Sequence, residues 1–316
     1  MIIGGGPIGL ACGIEAKRAG LNYVIIEKGC LVNSLYHYPV NMTFFSTSER
    51  LEIGNIPFVS ILPKPNRAEA LEYYRRATIA EKLRIQLFEE VQHVEGEKGN
   101  FRVQTSRQTY QAAQVILATG FYDLPVMLQI PGETLPQVKH YYNDPHFYAF
   151  RKVLVIGANN SAVDAALEIW RKGAKVTMVV RGEEIGKRVK YWVKPDIENR
   201  IREGSIHAWF NACVTEIAPG TVTIRDKDGH LHTLDNDFVL AMTGYKPNLS
   251  LLEQLGVHLS DEANRQPVYN PDTMESNREG LYLAGVVCGG LDTHSWFIEN
   301  SREHATKIIR HICSLH

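Results

Sequence analysis

The feature that most constrains this chain occurs twice. A buried strand runs into a glycine turn, the turn opens a helix, and a second strand ends on a charged residue. The first copy reads Met1-Ile2-Ile3, then Gly4-Gly5-Gly6-Pro7-Ile8-Gly9, then a helix to Arg18 and Ala19 stopped by Gly20. Its second strand is Tyr23-Val24-Ile25-Ile26, closing on Glu27. The second copy reads Val153-Leu154-Val155-Ile156, Gly157-Ala158-Asn159-Asn160-Ser161-Ala162, and a helix through Trp170 and Lys172 to Gly173. Its second strand, Val176 to Val180, closes on Arg181. Gly4 to Glu27 is 23 positions and Gly157 to Arg181 is 24. Two accidents at that spacing are implausible. The predicted fold class is therefore α/β, with two Rossmann-like dinucleotide-binding domains, each three-layered.

The later segments repeat as well. Phe101 to Thr105 and Tyr110 to Leu117 predict an antiparallel pair, the second strand closing on Ala118-Thr119-Gly120. Thr221 to Ile224 and Leu231 to Leu234 flank Asp228-Gly229, a hairpin turn signal, and Phe238 to Ala241 runs into Thr243-Gly244. Leu281-Leu283 with Ala284-Gly285 reads as one more short buried strand, and a final helix is predicted from about Phe297 to Ile312. These last pieces complete the first domain. The expected division is an FAD-binding domain of residues 1–121 and 246–316, interrupted by an NADPH-binding domain of residues 122–245.

The turns carry the chemistry. A pyrophosphate needs backbone N–H groups at a helix N-terminus, where the macrodipole favours negative charge. Gly4 permits the tight turn, Gly6 lets the backbone approach the phosphates, and Gly9 lets the helix pack on the strand. Glu27, 18 residues past Gly9, is placed for ribose hydroxyls. In the second turn Asn159 stands at the second glycine position and Ala162 at the third. Alanine is tolerated at the third, and asparagine accepts unusual backbone angles and can itself bond phosphate. Arg181 replaces the acid that would repel a 2′-phosphate, so NADPH is expected over NADH. Lys187 and Arg188 lie nearby in sequence. Two nucleotide sites imply a hydride relay from NADPH to FAD to an acceptor. The NADPH contacts are thus expected at Gly157, Asn159, Asn160, Ser161, Ala162, Arg181, Arg188, Thr243 and Gly244.

Composition narrows the class. The chain has 316 residues, enough for two domains, and 34 Lys+Arg against 35 Asp+Glu. That balance gives no nucleic-acid surface. No apolar run reaches the roughly 18 residues of a membrane span, and no signal segment is expected. The five cysteines, Cys12, Cys30, Cys213, Cys288 and Cys313, are scattered and form no CxxC. This fits a reducing cytoplasm. Only three residues precede the first glycine, where a strand usually has about five or six, so a trimmed N-terminus is expected. No metal site is expected.

The chain resembles the thioredoxin-reductase-like flavoproteins over nearly its whole length. The resemblance rests on Gly4 to Gly9 with Glu27, Ala118-Thr119-Gly120, Thr243-Gly244-Tyr245-Lys246-Pro247 and Leu283-Ala284-Gly285. Within that group it is similar to the bacillithiol disulfide reductases (YpdA-type). The runs involved are Ile26-Glu27-Lys28-Gly29, Tyr36-His37-Tyr38-Pro39, Thr43-Phe44-Phe45-Ser46, Asn160-Ser161-Ala162-Val163-Asp164-Ala165-Ala166 and Phe297-Ile298-Glu299-Asn300. The resemblance implies FAD, NADPH, reduction of a low-molecular-weight disulfide, and a homodimer. It implies FAD contacts at Gly4, Gly6, Pro7, Ile8, Gly9, Glu27, Lys28, Ser34, Leu35, Phe45, Ser46 and Val91. It adds Ala118, Thr119, Gly120, Gly285, Val286, Phe297 and Ile298.

Two departures matter. Thioredoxin reductases carry a CxxC in the inserted domain, absent here, and the bacillithiol group often keeps a cysteine where this chain has Ile8. Cys12, one turn beyond Ile8, and Cys288, after the Ala284-Gly285 turn, are the substitute thiols to weigh, with His37 as an acid/base candidate. Many relatives place an aspartate after the Ala-Gly pair; here it is Val286, leaving the amides of Gly285 and Val286 for FAD. The helix opening at Phe297 is expected to point its positive end at the flavin, with Glu299 as a first-turn charge and His294 and Trp296 near the ring. The stretch Lys187 to Trp192 reads equally as a solvated loop, an NADPH clasp or a docking surface. A ferredoxin or flavodoxin reductase of the same fold, acting on a small redox protein, and a non-catalytic NADPH sensor remain alternatives. A monooxygenase lacks its FxGxxxHxxxW signature here.

Overall fold

Both glycine turns leave the middle strand of a five-stranded parallel sheet. In the computed structural model, which describes residues 1–315, the chain forms two compact units. One contains Met1–His37, Thr43–Leu124 and the chain from Tyr245 onward; the other contains Tyr38–Met42 and Pro125–Gly244. The fold is α/β with two Rossmann-like units, the second inserted in the first.

In the first unit the strand order is Ile85–Gln86, Ile25–Ile26, Ile2–Ile3, Val115–Leu117, Leu281–Leu283, all parallel. The inner strands are two or three residues of isoleucine, valine and leucine, buried on both faces as parallel sheets require. Helix Pro7–Arg18 packs closely here: a Cβ on Gly13 would lie 2.6 Å from Ile25 Cδ1. In the second unit the order is His207–Phe210, Lys175–Val180, Lys152–Ile156, Phe238–Ala241, Val138–Lys139, again all parallel. Helix Asn160–Arg171 buries Ala162, Ala165 and Ala166 against it.

Each unit adds a three-stranded antiparallel sheet. In the first unit it is Val91–Glu95, Phe101–Thr105 and Thr109–Ala112. The run expected as one strand, Tyr110 to Leu117, is two. Thr109–Ala112 alternates half-buried with exposed on the outer sheet, while Val115–Leu117 is buried throughout and belongs to the parallel sheet. The switch from alternating to continuous burial marks the break. In the second unit Cys213–Ala218 precedes the predicted hairpin, Thr221–Arg225 and Leu231–Asp235.

The final helix is also divided. Ile298–Ser301 makes one turn, Arg302 intervenes, and Glu303–Ser314 follows. Among the described residues no helix is long and apolar enough to cross a membrane.

Candidate functional site

The first turn is shaped by steric exclusion. Gly4 sits at φ +109°, and a Cβ there would lie 2.3 Å from the Ala118 carbonyl oxygen. A Cβ on Gly9 would lie 1.8 Å from the Gly4 oxygen. Gly6 is different: nothing lies within 4 Å of where its Cβ would stand. Gly6 is the N-cap of the helix, no side chain caps it, and Pro7 takes the first helical position. An open cradle of backbone at an uncapped helix N-terminus is what a dinucleotide pyrophosphate fits.

Glu27 is buried beside this cradle, 6% exposed. Its Oε2 accepts the Gly5 N–H at 2.7 Å and its Oε1 accepts the Gly29 N–H at 2.9 Å. The carboxylate therefore holds the turn and the following loop together. Each oxygen keeps a further lone pair for a hydroxyl. Lys28 Nζ pairs with Asp123 at 2.8 Å. Leu35 is buried, and Ser34 Oγ is the atom nearest a Cβ on Gly120, at 3.9 Å. Thr119 follows Ala118 at the same strand end, while Val91 opens the outer antiparallel sheet. Phe45 is exposed with Lys64 over its ring. Ser46 donates to Glu299 Oε2 at 2.6 Å, so Glu299 is a tether between segments as well as a first-turn charge.

Three sequence expectations change here. First, Gly285 donates its N–H to His304 Nδ1 at 3.1 Å. One amide has one proton, so of Gly285 and Val286 only the second is left to a ligand. Second, the helix opening at Phe297 runs as two pieces, Ile298–Ser301 and Glu303–Ser314, joined at Arg302, whose backbone is itself helical (φ −59°, ψ −27°). Third, His37 is exposed at the end of the short helix Asn33–Tyr36, with Tyr36 edge-on at 5.2 Å and, among the described residues, no carboxylate orienting it. Asp292 caps its own loop by accepting from His294 N and Ser295 Oγ.

The two substitute thiols are buried. Cys12 and Cys288 are both 0% exposed. Burial, and then Glu15, push the Cys12 thiol up to about 12. Burial pushes Cys288 further still from the thiolate, with Cys12 adding to it. Cys288 Sγ lies 3.8 Å from His304 Nδ1. Burial, and then Lys307, hold that imidazole down at about 4. Both shifts favour the neutral thiol and imidazole over a thiolate–imidazolium pair, so this is not an activated nucleophile. Nδ1 is an acceptor here, which puts the proton on Nε2; Nε2 is buried without a partner among the described residues, and Trp296 stands edge-on at 4.5 Å. Sequence reasoning missed His304. Its neighbours Ala305, Ile308, Ile309 and Ile312 form a buried stripe, and a histidine in such a stripe reads as plain core. Ile8 packs its Cγ1 3.4 Å from where a Gly285 Cβ would stand.

The second turn repeats the first with other side chains. Gly157 has φ +131°, and a Cβ there would lie 2.6 Å from the Met242 oxygen. Asn159 is the helix N-cap at φ −97°, ψ −173°. That is ordinary extended backbone, so the tolerance of asparagine for unusual angles is not used. Ala162 is buried and Ser161 exposed. The Asn160 side chain is engaged on both sides: its Oδ1 accepts from Lys190 N at 2.8 Å and its Nδ2 donates to the Arg188 carbonyl at 3.1 Å. Arg181 and Arg188 are exposed, and among the described residues no carboxylate pairs with either. Thr243 Oγ1 donates to Val126 O at 2.6 Å and Gly244 has φ +98°. Elsewhere in this unit Asp226, Asp228 and His230 bring donor atoms within 4.8 Å of one another. They form an exposed hairpin tip whose Asp226 already accepts from His232 and two backbone amides.

Comparison with known proteins agrees with this duplicated plan. The family described as pyridine nucleotide-disulphide oxidoreductase matches residues 1–285. The chain is 44% identical over 313 residues to the bacilliredoxin reductase Bdr of Bacillus subtilis (strain 168), covering 99% of this chain and 96% of that protein. The structure of the bacillithiol disulfide reductase Bdr (YpdA) of Bacillus cereus superposes with a TM-score of 0.96 at 43% identity, covering 100% of this chain and 98% of that one. The thioredoxin reductase of T. acidophilum shares the fold, with a TM-score of 0.77 at 20% identity over 100% of this chain and 98% of that one.

Proposed function

The chain belongs to the pyridine nucleotide-disulphide oxidoreductases, FAD-dependent enzymes that use NAD(P)H, and from that premise we propose that it reduces a small disulfide of the bacillithiol type with NADPH. The observation that carries this is the full-length similarity to the two Bdr proteins, at 44% and 43% identity. In this reading the enzyme works in the cytoplasm, as a homodimer.

FAD, when bound, supplies two-electron chemistry between a nicotinamide and the acceptor. The rest is done by the chain. The cradle at Gly6 and the first-turn amides bind the pyrophosphate, and Glu27 takes ribose hydroxyls while holding Gly5 and Gly29 in place. Ala118, Thr119, Gly120 and Val286 offer backbone around the ribityl chain. On the other unit, the turn at Gly157 binds the second pyrophosphate, and Arg181 with Arg188 receives the 2′-phosphate. Ile8 stands where a thiol would otherwise meet the substrate, and Cys12 and Cys288 remain protonated. Neither cysteine takes part as a thiolate, so electrons pass to the substrate disulfide without a mixed disulfide at these positions.

The test is reoxidation. Protein reduced anaerobically with NADPH is mixed in parallel with bacillithiol disulfide, a bacilliredoxin, a ferredoxin, a flavodoxin and oxygen. Bacillithiol disulfide is expected to reoxidise the flavin fastest. Rapid reoxidation only by the ferredoxin or flavodoxin overturns the proposal, and rapid reoxidation only by the bacilliredoxin moves the acceptor to a small protein.

A further inference from the structure

The basic segment after Arg181 is built into the second unit by contacts that no pyrophosphate site requires. Asn160 and Asp164 lie four residues apart on one helix, hence on one face. Lys190 meets both: its backbone N–H donates to Asn160 Oδ1 at 2.8 Å, and its Nζ reaches Asp164 Oδ2 at 2.7 Å. The Lys190 side chain is only 9% exposed and that of Asp164 20%. Asn160 Nδ2 fixes the Arg188 carbonyl at 3.1 Å. Nearer the start of the segment, Gly186 N–H donates to the Ala158 carbonyl at 2.9 Å. A Cβ on Gly186 would lie 2.3 Å from Asn159 Oδ1. Ile185 and Val189 are buried in the core of the unit. Between these anchors Lys187 and Arg188 are exposed, and Arg181 stands exposed at the head of the segment.

A buried lysine is rare unless paired, and a buried ion pair gives little stability over apolar side chains of similar size. Its physical use is to fix one arrangement. We propose that Asn160, Asp164 and Lys190 form a latch that holds residues 182–190 on the second glycine turn and thereby sets the preference for a phosphorylated nicotinamide dinucleotide. These are positioning residues. They present Arg188 to the adenosine ribose without themselves meeting the 2′-phosphate. A loop already ordered does not have to be ordered by the ligand, which is the general source of preorganised affinity. Only a ligand with a 2′-phosphate gains from the ordered cations, so the latch acts on NADP and not on NAD. The proposal rests on the roles given to Arg181 and Arg188 above.

Calorimetry on the FAD-loaded protein, with NADP+ and NAD+ as separate titrants, tests it. Asp164→Asn keeps the shape and removes the charge; Asn160→Ala removes both amide contacts. Each is expected to weaken NADP+ by about tenfold and NAD+ by less than about twofold. Hydrogen exchange of the amides in 182–190 is expected to speed up in both variants. Should Asp164→Asn not fold, Asn160→Ala carries the test. Unchanged NADP+ affinity, or equal weakening of both ligands, overturns the latch. Arg181→Ala with Arg188→Ala separates the two readings. If that double variant loses NADP+ affinity while the latch variants do not, the latch alone fails. If it keeps NADP+ affinity, both fall.

Discussion

The two glycine turns share a backbone plan and differ in what holds it. Gly4 donates to Ile26 O at 2.8 Å, and its counterpart Gly157 donates to Val179 O at 3.1 Å. Val32 N–H reaches Gly5 O in one turn, and Gly186 N–H reaches Ala158 O in the other. In the first, a buried acid, Glu27, closes the turn from inside. In the second the strand-end residue is an exposed arginine, and closure falls to Asn160, Asp164 and Lys190. In the function proposed above, the first arrangement leaves the carboxylate for ribose and the second frees the strand end to face a phosphate.

The largest test of this contrast is at the third glycine position. Gly9→Ala puts a Cβ 1.8 Å from the Gly4 oxygen, so protein purified from this variant is expected to carry little or no flavin absorbance. Ala162→Gly in the second turn removes a methyl and is expected to cost about 1 kcal/mol of stability, as glycine does in a helix, with flavin content intact. Full flavin loading of Gly9→Ala would remove the steric argument for the first turn.

Next come the two strand-end residues. Glu27→Gln weakens two charge-assisted bonds to backbone amides and is expected to lower stability by about 1.5–3 kcal/mol in urea unfolding. Arg181→Ala is expected to leave stability unchanged and to lower the kcat/KM preference for NADPH over NADH by about tenfold. If Arg181→Ala destabilises the protein instead, the arginine is structural and the contrast fails.

A smaller effect concerns His304. Burial lowers its ring from an ordinary 6.5 to about 4, so the unfolded chain takes up this proton before the folded one does. The stability contributed by the neutral ring is complete above about pH 6.5 and is lost as pH falls towards 4. The gap between wild type and His304→Gln in urea midpoint is expected to narrow across that window; a gap that does not change with pH contradicts the assignment. The smallest change is expected of Cys12→Ser and Cys288→Ser, each of which should keep turnover within about twofold while losing some stability, as small polar changes in a core do. Loss of turnover with flavin reduction intact would restore a thiol to the mechanism.

Much of this was legible in the residues. The periodic strands, the glycine spacing and the terminal charges placed both turns, because backbone sterics act over a few neighbouring positions. The split of Tyr110 to Leu117 was not legible: period-2 and fully buried patterns run together over eight residues, and only pairing with Ile2–Ile3 on one side and Leu281–Leu283 on the other fixes the second piece. Nor was the commitment of Gly285 to His304, two residues 19 positions apart. Nor was the engagement of the Asn160 side-chain amide by Lys190 and Arg188, 30 and 28 positions away.

The sequence by itself determined that the chain has two dinucleotide folds and that Ile8 cannot act as a thiol. Those statements depend on which side chains exist and on local geometry. Only the tertiary structure decided that Cys12 and Cys288 are sealed from water, that Glu27 holds its own loop, and that a lysine is buried beside the second turn. Charge state and hydrogen-bond commitment depend on burial and on partners brought from distant segments, and packing alone sets both.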